Sequence, residues 1–352
     1  MRALIMDSSR LRHHKRAERG IVLALVLVIG LLLTTAIVTF QRRYIIDAQI
    51  AANRDQAAQA EALARGGIQL GIYLILADGL AGEEGPPGDT HLDTWAQASG
   101  YEIFTEDQGQ LRVRIQDDGA RLNLNAVTNS EGGEASEEQI DFLMEFFDKV
   151  IDELPIAPGE RIWDSRELAQ NLIDYVDADE ERQRGGPENA WYESRTPPYE
   201  APNQPLRTID ELSMVEGFTG VLVEGIRPYA TVHPRLSGTG INLNTAPPHV
   251  LASVYHGSQG DRQLASEDTV RRILRVREDG NILCTDAAAD DRCILASDIV
   301  DGSIFPEANL PGKARVFSVE AEATVGEIRR SIQAVIDRTK PSKPIIVDWR
   351  KG

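Results

Sequence analysis

The stretch Leu172-Ile-Asp174-Tyr-Val-Asp177-Ala-Asp179, followed by Gly185-Gly-Pro-Glu188-Asn189, puts Asp177, Asp179 and Glu188 into a polar segment broken by glycine and proline. Carboxylates are hard oxygen donors. Clustered on irregular backbone, they suit Ca2+ better than Zn2+, which prefers nitrogen and sulfur in a closed tetrahedron. The spacing is not that of an EF-hand loop. The plain alternative is a solvated acidic loop, and Asp174, in the preceding apolar run, reads as a capping or supporting residue. The second pair with chemistry is Cys284 and Cys293, the only cysteines, in ILCTDAAADDRCIL. In an exported location they can bridge and close a short acidic loop, worth up to about 3 kcal/mol by loop-closure entropy. Otherwise they stay as two reduced thiols; with no His nearby they do not make a metal site.

Catalysis finds no support in the residue types. The six His residues are scattered, with His13 and His14 near the N-terminus. No Ser or Cys sits in a nucleophile setting, and HExxH, P-loop and GxGxxG motifs are absent. The expectation is therefore a protein that is not an enzyme. Formal net charge is −18. The first 20 residues carry Arg2, Arg10, Arg12, Lys15, Arg16 and Arg19 against Asp7 and Glu18, a net of +4, which leaves −22 for the rest. So acidic a body repels phosphate backbones, disfavouring nucleic acid, and attracts multivalent cations.

These side chains need elements to position them. Residues 21–40, IVLALVLVIGLLLTTAIVTF, carry no charge and as a helix span about 30 Å, the thickness of a bilayer's hydrocarbon core. The basic stretch before them stays cytoplasmic by the positive-inside rule, although Arg42 and Arg43 weaken the asymmetry, and the acidic body lies outside. A secretory signal would place its small cleavage residue after the apolar run. Here Gly20 precedes the run, and Phe40-Gln-Arg-Arg43 follows it.

Residues 44–80, rich in Ala, Gln, Leu and Ile without Pro, continue the helix, with Gly66-Gly67 as a candidate bend, until Gly82-Glu-Glu-Gly-Pro-Pro-Gly88 breaks it. YEIFTED (101–107), LRVRIQD (111–117) and RLNLNA (121–126) alternate as strands of an antiparallel meander. ARVFSVEAEATV (314–325) and IRRSIQAVIDR (328–338) flank Gly326-Glu327 as a further hairpin. Helical patterns at 136–152, 165–177, 208–216, 247–256 and 267–278 fill the interval. The expected fold class is α+β: a leader at 1–20, a long transmembrane helix at 21–80, a small antiparallel β domain at 81–126 and 313–340, a helical domain inserted at 127–312, and a tail at 341–352. An internal echo pairs Leu122-Asn-Leu-Asn-Ala126 with Ile241-Asn-Leu-Asn-Thr-Ala246. The second resembles the entry to a helix-hairpin-helix module. Such modules bind DNA or act as packing units, and the acidic body favours packing. Asn side chains also hold turns by bonding to nearby backbone.

Arg16-Ala-Glu-Arg-Gly20 followed by Ile21-Val-Leu-Ala-Leu25 resembles the prepilin-peptidase signal of type IV pilins and type II secretion pseudopilins. The resemblance implies cleavage between Gly20 and Ile21, retention of the apolar run, and methylation of the new N-terminus. Most such proteins carry Glu at the fifth mature position, where this chain has Leu25; the K-type minor pseudopilin is the member that lacks it. A Glu there is buried in a membrane or fibre core and requires a cationic neighbour, whereas Leu25 requires none, which suits a subunit with nothing above it. The acidic stretch at 172–192, Pro197-Pro-Tyr199, Asn203-Gln-Pro-Leu206 and Ile209-Asp-Glu211-Leu212 are similar to the K-type α-domain. That likeness implies bound calcium, with Asp177, Asp179, Glu188, Asn203 and Glu211 as ligands. It also implies a place at the pseudopilus tip in the inner membrane, with I-type and J-type companions, exoprotein cargo or the outer-membrane secretin as contacts. The rival reading is a membrane-anchored DNA-uptake protein of pilin type, which would want a basic patch around 241–256; that region offers His249 and His256.

Overall fold

A computed structural model of the chain describes residues 9–81, 88–105, 109–128, 136–155, 162–234, 241–258, 261–285, 290–300, 302–305, 314–340 and 342–352. The chain opens with α1 (Ser9–Ala81), one unbroken helix of 73 residues. It is followed by the short α2 (Thr94–Ala98), β1 (Glu102–Phe104) and β2 (Gly109–Asp117). The inserted body then runs through β3 (Leu122–Asn123), α3 (Leu124–Thr128), α4 (Glu137–Glu153), α5 (Ser165–Val176), α6 (Ala190–Glu193), α7 (Gly220–Ile226) and β4 (Ala230–Thr231). It continues through α8 (Pro248–Leu251), β5 (Tyr255–Ser258), β6 (Asp261–Leu264), α9 (Glu267–Glu278), β7 (Ile282–Cys284), β8 (Cys293–Leu295) and β9 (Ser303–Phe305). The chain then returns to the first sheet with β10 (Val316–Val325), β11 (Ile328–Asp337) and β12 (Ile345–Lys351). This is the α+β architecture expected from the sequence.

The sheet has the order β1-β2-β10-β11-β12, all antiparallel, so the strands on either side of the insertion, β2 and β10, lie side by side. Period-two alternation sends Leu111, Val113, Ile115, Val319, Ala321 and Ala323 to one face, where they meet Ala64, Ile68 and Ile75 of α1. The β10–β11 hairpin turns on Gly326-Glu327, where Gly326 has φ +58°, a left-handed value that glycine adopts without steric penalty. α1 runs on as helix through Gly66-Gly67. A Cβ on Gly67 would stand 2.7 Å from the Ala321 Cβ and 2.8 Å from the Leu111 Cδ1, so this glycine lets helix and sheet approach closely.

Several expectations change. Leu122-Asn-Leu-Asn does not extend the meander: β3 pairs in parallel with β4, and Leu122 and Leu124 belong to the core of the inserted body. Alternation misled there because Asn123 and Asn125 are buried too, their amides spent on backbone. The segment after residue 340 is not a loose tail. Residues 345–351 form β12 against β11, with Val347 as the extra residue of a bulge, and Lys351 and Arg350 pair with Glu61 of α1 and Asp210 of the body. Within the body, residues 209–214 form a tighter 3-10 turn, and 247–256 divides into α8 and the start of β5. The turn expected at 82–88 lies outside the described residues apart from Gly88.

The two halves meet at Arg338, at the end of β11. Its Nη1 donates to Asp78 of α1 at 3.0 Å, and its Nη2 donates to both Asp89 oxygens at 2.6 Å and to the Ala314 carbonyl. Its guanidinium lies 4.6 Å from the Phe317 ring centroid. Asp89 passes the connection on, because its carbonyl accepts from the Asn242 amide, which also donates to Asp117.

The close approach at Gly67 yields a paired prediction. Gly66→Ala, with nothing within 4 Å of the added Cβ, gains about 1 kcal/mol from helix propensity. Gly67→Leu overpacks the helix–sheet seam and loses about 1–3 kcal/mol. Thermal unfolding of the detergent-solubilised chain reads both; shifts of equal sign would mean that Gly67 does not face the sheet.

Candidate functional site

The acidic segment begins where α5 ends. Asp164 caps the helix by accepting from the Glu167 N–H, and Asp177 stands at its C-terminal boundary. Helix periodicity places Leu168, Leu172, Ile173 and Val176 in the body core and leaves Asp174 and Asp177 on the flank facing the loop. The loop folds back through an antiparallel bridge between Glu181 and Pro187, and Gly185 and Gly186 turn it at φ +79° and +98°. Arg182 pairs with Glu216, and Arg184 donates to Asn171 and Glu167, so the basic residues brace the loop from outside.

The fold brings together Asp177, Asp179, Glu188 and Asn203 of the residues that the resemblance nominates as ligands. Asp177 and Glu188 are buried, and Asp179 lies beside them with its Oδ1 accepting from the Glu181 N–H at 2.8 Å. Asn203 reaches across from the segment after α6, donating to the Asp179 carbonyl and, at 3.5 Å, to the Glu188 Oε2. Its φ of +46° is a left-handed conformation that Asn tolerates better than most residues. Of Glu211, Oε1 accepts from the Arg207 N–H at 3.2 Å, and its charge adds to burial in raising the Tyr175 phenol. Asp174 joins the group: Oδ1 accepts from the Gln183 N–H at 2.9 Å, and the other oxygen points inward.

Five buried oxygens here, Asp174 Oδ2, both oxygens of Asp177, Glu188 Oε1 and Asn203 Oδ1, accept no hydrogen bond among the described residues. Buried acceptors are almost always satisfied, so such a concentration points to a bound species that supplies positive charge. All are hard oxygen atoms on irregular backbone, and the donor set fits Ca2+ rather than a softer metal. Burial pushes the carboxyls up, Asp174 to about 6, Asp177 to about 7 and Glu188 to about 8, and repulsion from neighbouring carboxylates adds to it at Asp177 and Glu188. Tyr175, Tyr192 and Tyr199 pack together in the same part of the chain, the Tyr192 ring centroid lying 5.8 Å from that of Tyr175 and 5.4 Å from that of Tyr199.

A tighter acidic group, which the sequence did not reveal, lies at the junction. Oxygens of Asp78, Asp89 and Asp93 fall within 4.8 Å of one another, but Arg338 already supplies the counter-charge there. Cys284 and Cys293 are bonded to each other between β7 and β8. Gly20 and Ile21 lie within the continuous helix of α1, and Leu25 is exposed along with every residue from Val22 to Phe40.

Residues 120–235 match the family model described as type II secretion system protein K. The type II secretion system protein K of Klebsiella pneumoniae is 29% identical over 68% of this chain and 70% of its own length. That of Pseudomonas aeruginosa is 24% identical over 94% of this chain and 91% of its own. Among solved structures, the GspK-GspI-GspJ complex from enterotoxigenic Escherichia coli matches with a TM-score of 0.57 at 21% identity, covering 86% of this chain and 99% of that one; this likeness concerns the fold.

The raised carboxyls define a pH dependence for the metal-free chain. Folded values near 6 to 8 exceed the unfolded values near 4, so the folded state holds protons that the unfolded state has released, and stability falls as pH rises from about 4 to 8. In chelator, the unfolding midpoint should drop between pH 5.5 and 8, and the double substitution Asp177→Asn, Glu188→Gln should flatten the slope. An unchanged slope would mean that these carboxyls titrate normally.

Proposed function

We propose that the chain, by its likeness to type II secretion system protein K, sits at the tip of the pseudopilus, where it starts or caps assembly during export of folded proteins. The observation that carries this reading is the division of α1. Residues 22–40 expose an apolar surface all round, whereas Ala60, Ala64, Ile68 and Ile75 are buried against the sheet. The first part suits a bilayer or the helices of neighbouring subunits; the second holds a body too bulky for a further subunit to stack above it. Leu25, with no carboxylate to neutralise a neighbour's N-terminus, fits a subunit with none overhead.

In this reading the N-terminus is cytoplasmic and the body periplasmic in the inner membrane. Prepilin peptidase cuts between Gly20 and Ile21, and the companions are pseudopilins of I and J type, as in the GspK-GspI-GspJ complex. Exoprotein cargo or the outer-membrane secretin meets the exposed end. The role is mechanical rather than catalytic. Calcium binds through Asp177, Asp179, Glu188 and Asn203, with Asp174 beside them, and supplies the positive charge that lets these oxygens stay buried. The DNA-uptake alternative loses ground at the second echo, where Asn242 and Asn244 spend their amides on Asp89, Asp117 and Leu283.

Two measurements test this. Mass spectrometry of the membrane-extracted protein should find Ile21 at the mature N-terminus; an N-terminus beyond Phe40 would favour a cleaved secretory signal. Calcium at a hundred times its Kd should add about 2.7 kcal/mol to folding. Chelation should then lower the unfolding midpoint of the wild-type chain but not that of Asp179→Ala. Equal midpoints, with no calcium retained in equilibrium dialysis, would remove the ion from the reading.

A further inference from the structure

The two echoes, Leu122-Asn-Leu-Asn-Ala126 and Ile241-Asn-Leu-Asn-Thr-Ala246, have the same geometry. In each, the first Asn accepts from the backbone N–H of the second, Asn123 from Asn125 at 3.1 Å and Asn242 from Asn244 at 3.0 Å. The second Asn, fully inside, then clamps a distant residue by both backbone groups. Asn125 Oδ1 accepts from the Leu206 N–H at 2.8 Å, and its Nδ2 donates to the Leu206 carbonyl at 2.9 Å and to the Val232 carbonyl at 2.8 Å. Asn244 does the same to Leu283, at 2.7 and 2.9 Å. A side-chain amide thus stands in for one residue of a neighbouring strand.

What differs is what each clamp holds. Leu283 adjoins the bonded Cys284, far along the chain from the acidic loop. Leu206 is three residues from Asn203, so the clamp fixes the chain within about 10 Å of the residue that bonds Asp179 and Glu188. At the other end, the Ala201 N–H donates to Asn189 at 2.8 Å, next to Glu188. The segment 201–206 is therefore pinned on both sides of Asn203. Without the Leu206 pin, Asn203 would hold its left-handed conformation and its unpartnered buried oxygen with a fixed point on one side only, at Ala201.

We propose that Asn125 is a positioning residue of the calcium site: by clamping Leu206 it sets where Asn203 stands and so sets calcium affinity, whereas the equivalent clamp at Asn244 has no part in it. The inference rests on the calcium reading above and extends it to a residue that touches no metal. Substitutions of groups that orient ligands typically weaken metal binding about 10-fold to 100-fold. The coupling is reciprocal, so calcium must in turn tighten the clamp.

The test compares Asn125→Asp with Asn244→Asp in the full detergent-solubilised chain. Each keeps the acceptor and removes the donor. Calorimetric titration with calcium should show about ten-fold weaker binding for Asn125→Asp, with a smaller midpoint difference between calcium and chelator. Asn244→Asp should lower both midpoints together and leave the Kd unchanged. A folded Asn125→Asp chain with wild-type affinity, or an Asn244→Asp chain weakened equally, overturns the proposal. Hydrogen exchange in the wild type decides the matter if Asn125→Asp fails to fold: calcium should slow exchange of the Leu206 amide, and unchanged exchange overturns the proposal. A wild type that binds no calcium defeats the calcium reading itself, an outcome distinct from binding without coupling.

Discussion

One buried guanidinium holds the architecture together. Arg338 bonds the last turns of α1 through Asp78, the segment that follows it through Asp89, and the start of the returning chain through Ala314. A buried ion pair adds little net stability over an apolar substitute of the same shape, but losing one partner leaves an uncompensated charge that costs several kcal/mol. The value of Arg338 is thus one of specification. Three chain segments that share no local signal converge on a single cation, and its stacking on Phe317 sets its depth in the sheet core. An insertion as large as the body must enter and leave its host at adjacent points, which β2 and β10, paired along their whole length, provide.

The host and the insertion are built on different principles. The host is a single apolar seam, α1 on one sheet face, with small residues at Gly67, Ala321 and Ala323 that let the helix lie close. The body has a larger apolar core of short helices, led by Phe142, Phe146 and Phe147, whose connections run long and irregular. Irregular connections leave backbone groups without ladder partners, and buried amides satisfy them. Asn125 and Asn244 do so twice by one device, and a sheet-like bond pattern arises where there is room for a single residue.

Charge obeys a similar economy. The body is strongly acidic, and most of its carboxylates pair with arginine or face water, as Glu137 and Asp141 do with Arg166. Around Asp177 and Glu188 the arginines Arg182 and Arg184 pair with Glu216, Glu167 and Asn171 instead, and the buried oxygens are left without hydrogen-bond partners among the described residues. Such a group is tolerable only when protonated or when a cation is present, which makes the loop's order depend on conditions in a way that the rest of the body does not.

Much of this was legible in the residues alone. The length of α1 follows from an uncharged run continued by good helix formers, and the β10–β11 hairpin follows from strict alternation around a glycine. Both are patterns in which each residue's neighbours in space are its neighbours in sequence. The types and spacing of Asp177, Asp179 and Glu188 likewise marked an oxygen-rich segment before any geometry was known. What only the tertiary structure decided are contacts whose partners lie far apart in sequence: Arg338 with Asp78 across 260 residues, and Asn125 with Leu206 across 81. Period cannot distinguish a strand of alternating Leu and Asn from a turn whose Asn side chains are buried and bonded, because the same alternation serves both. The partner that makes the difference is chosen by packing of the whole chain. Likewise Ile345-Ile-Val347 becomes an edge strand rather than a tail only because β11 leaves it an open edge to pair with.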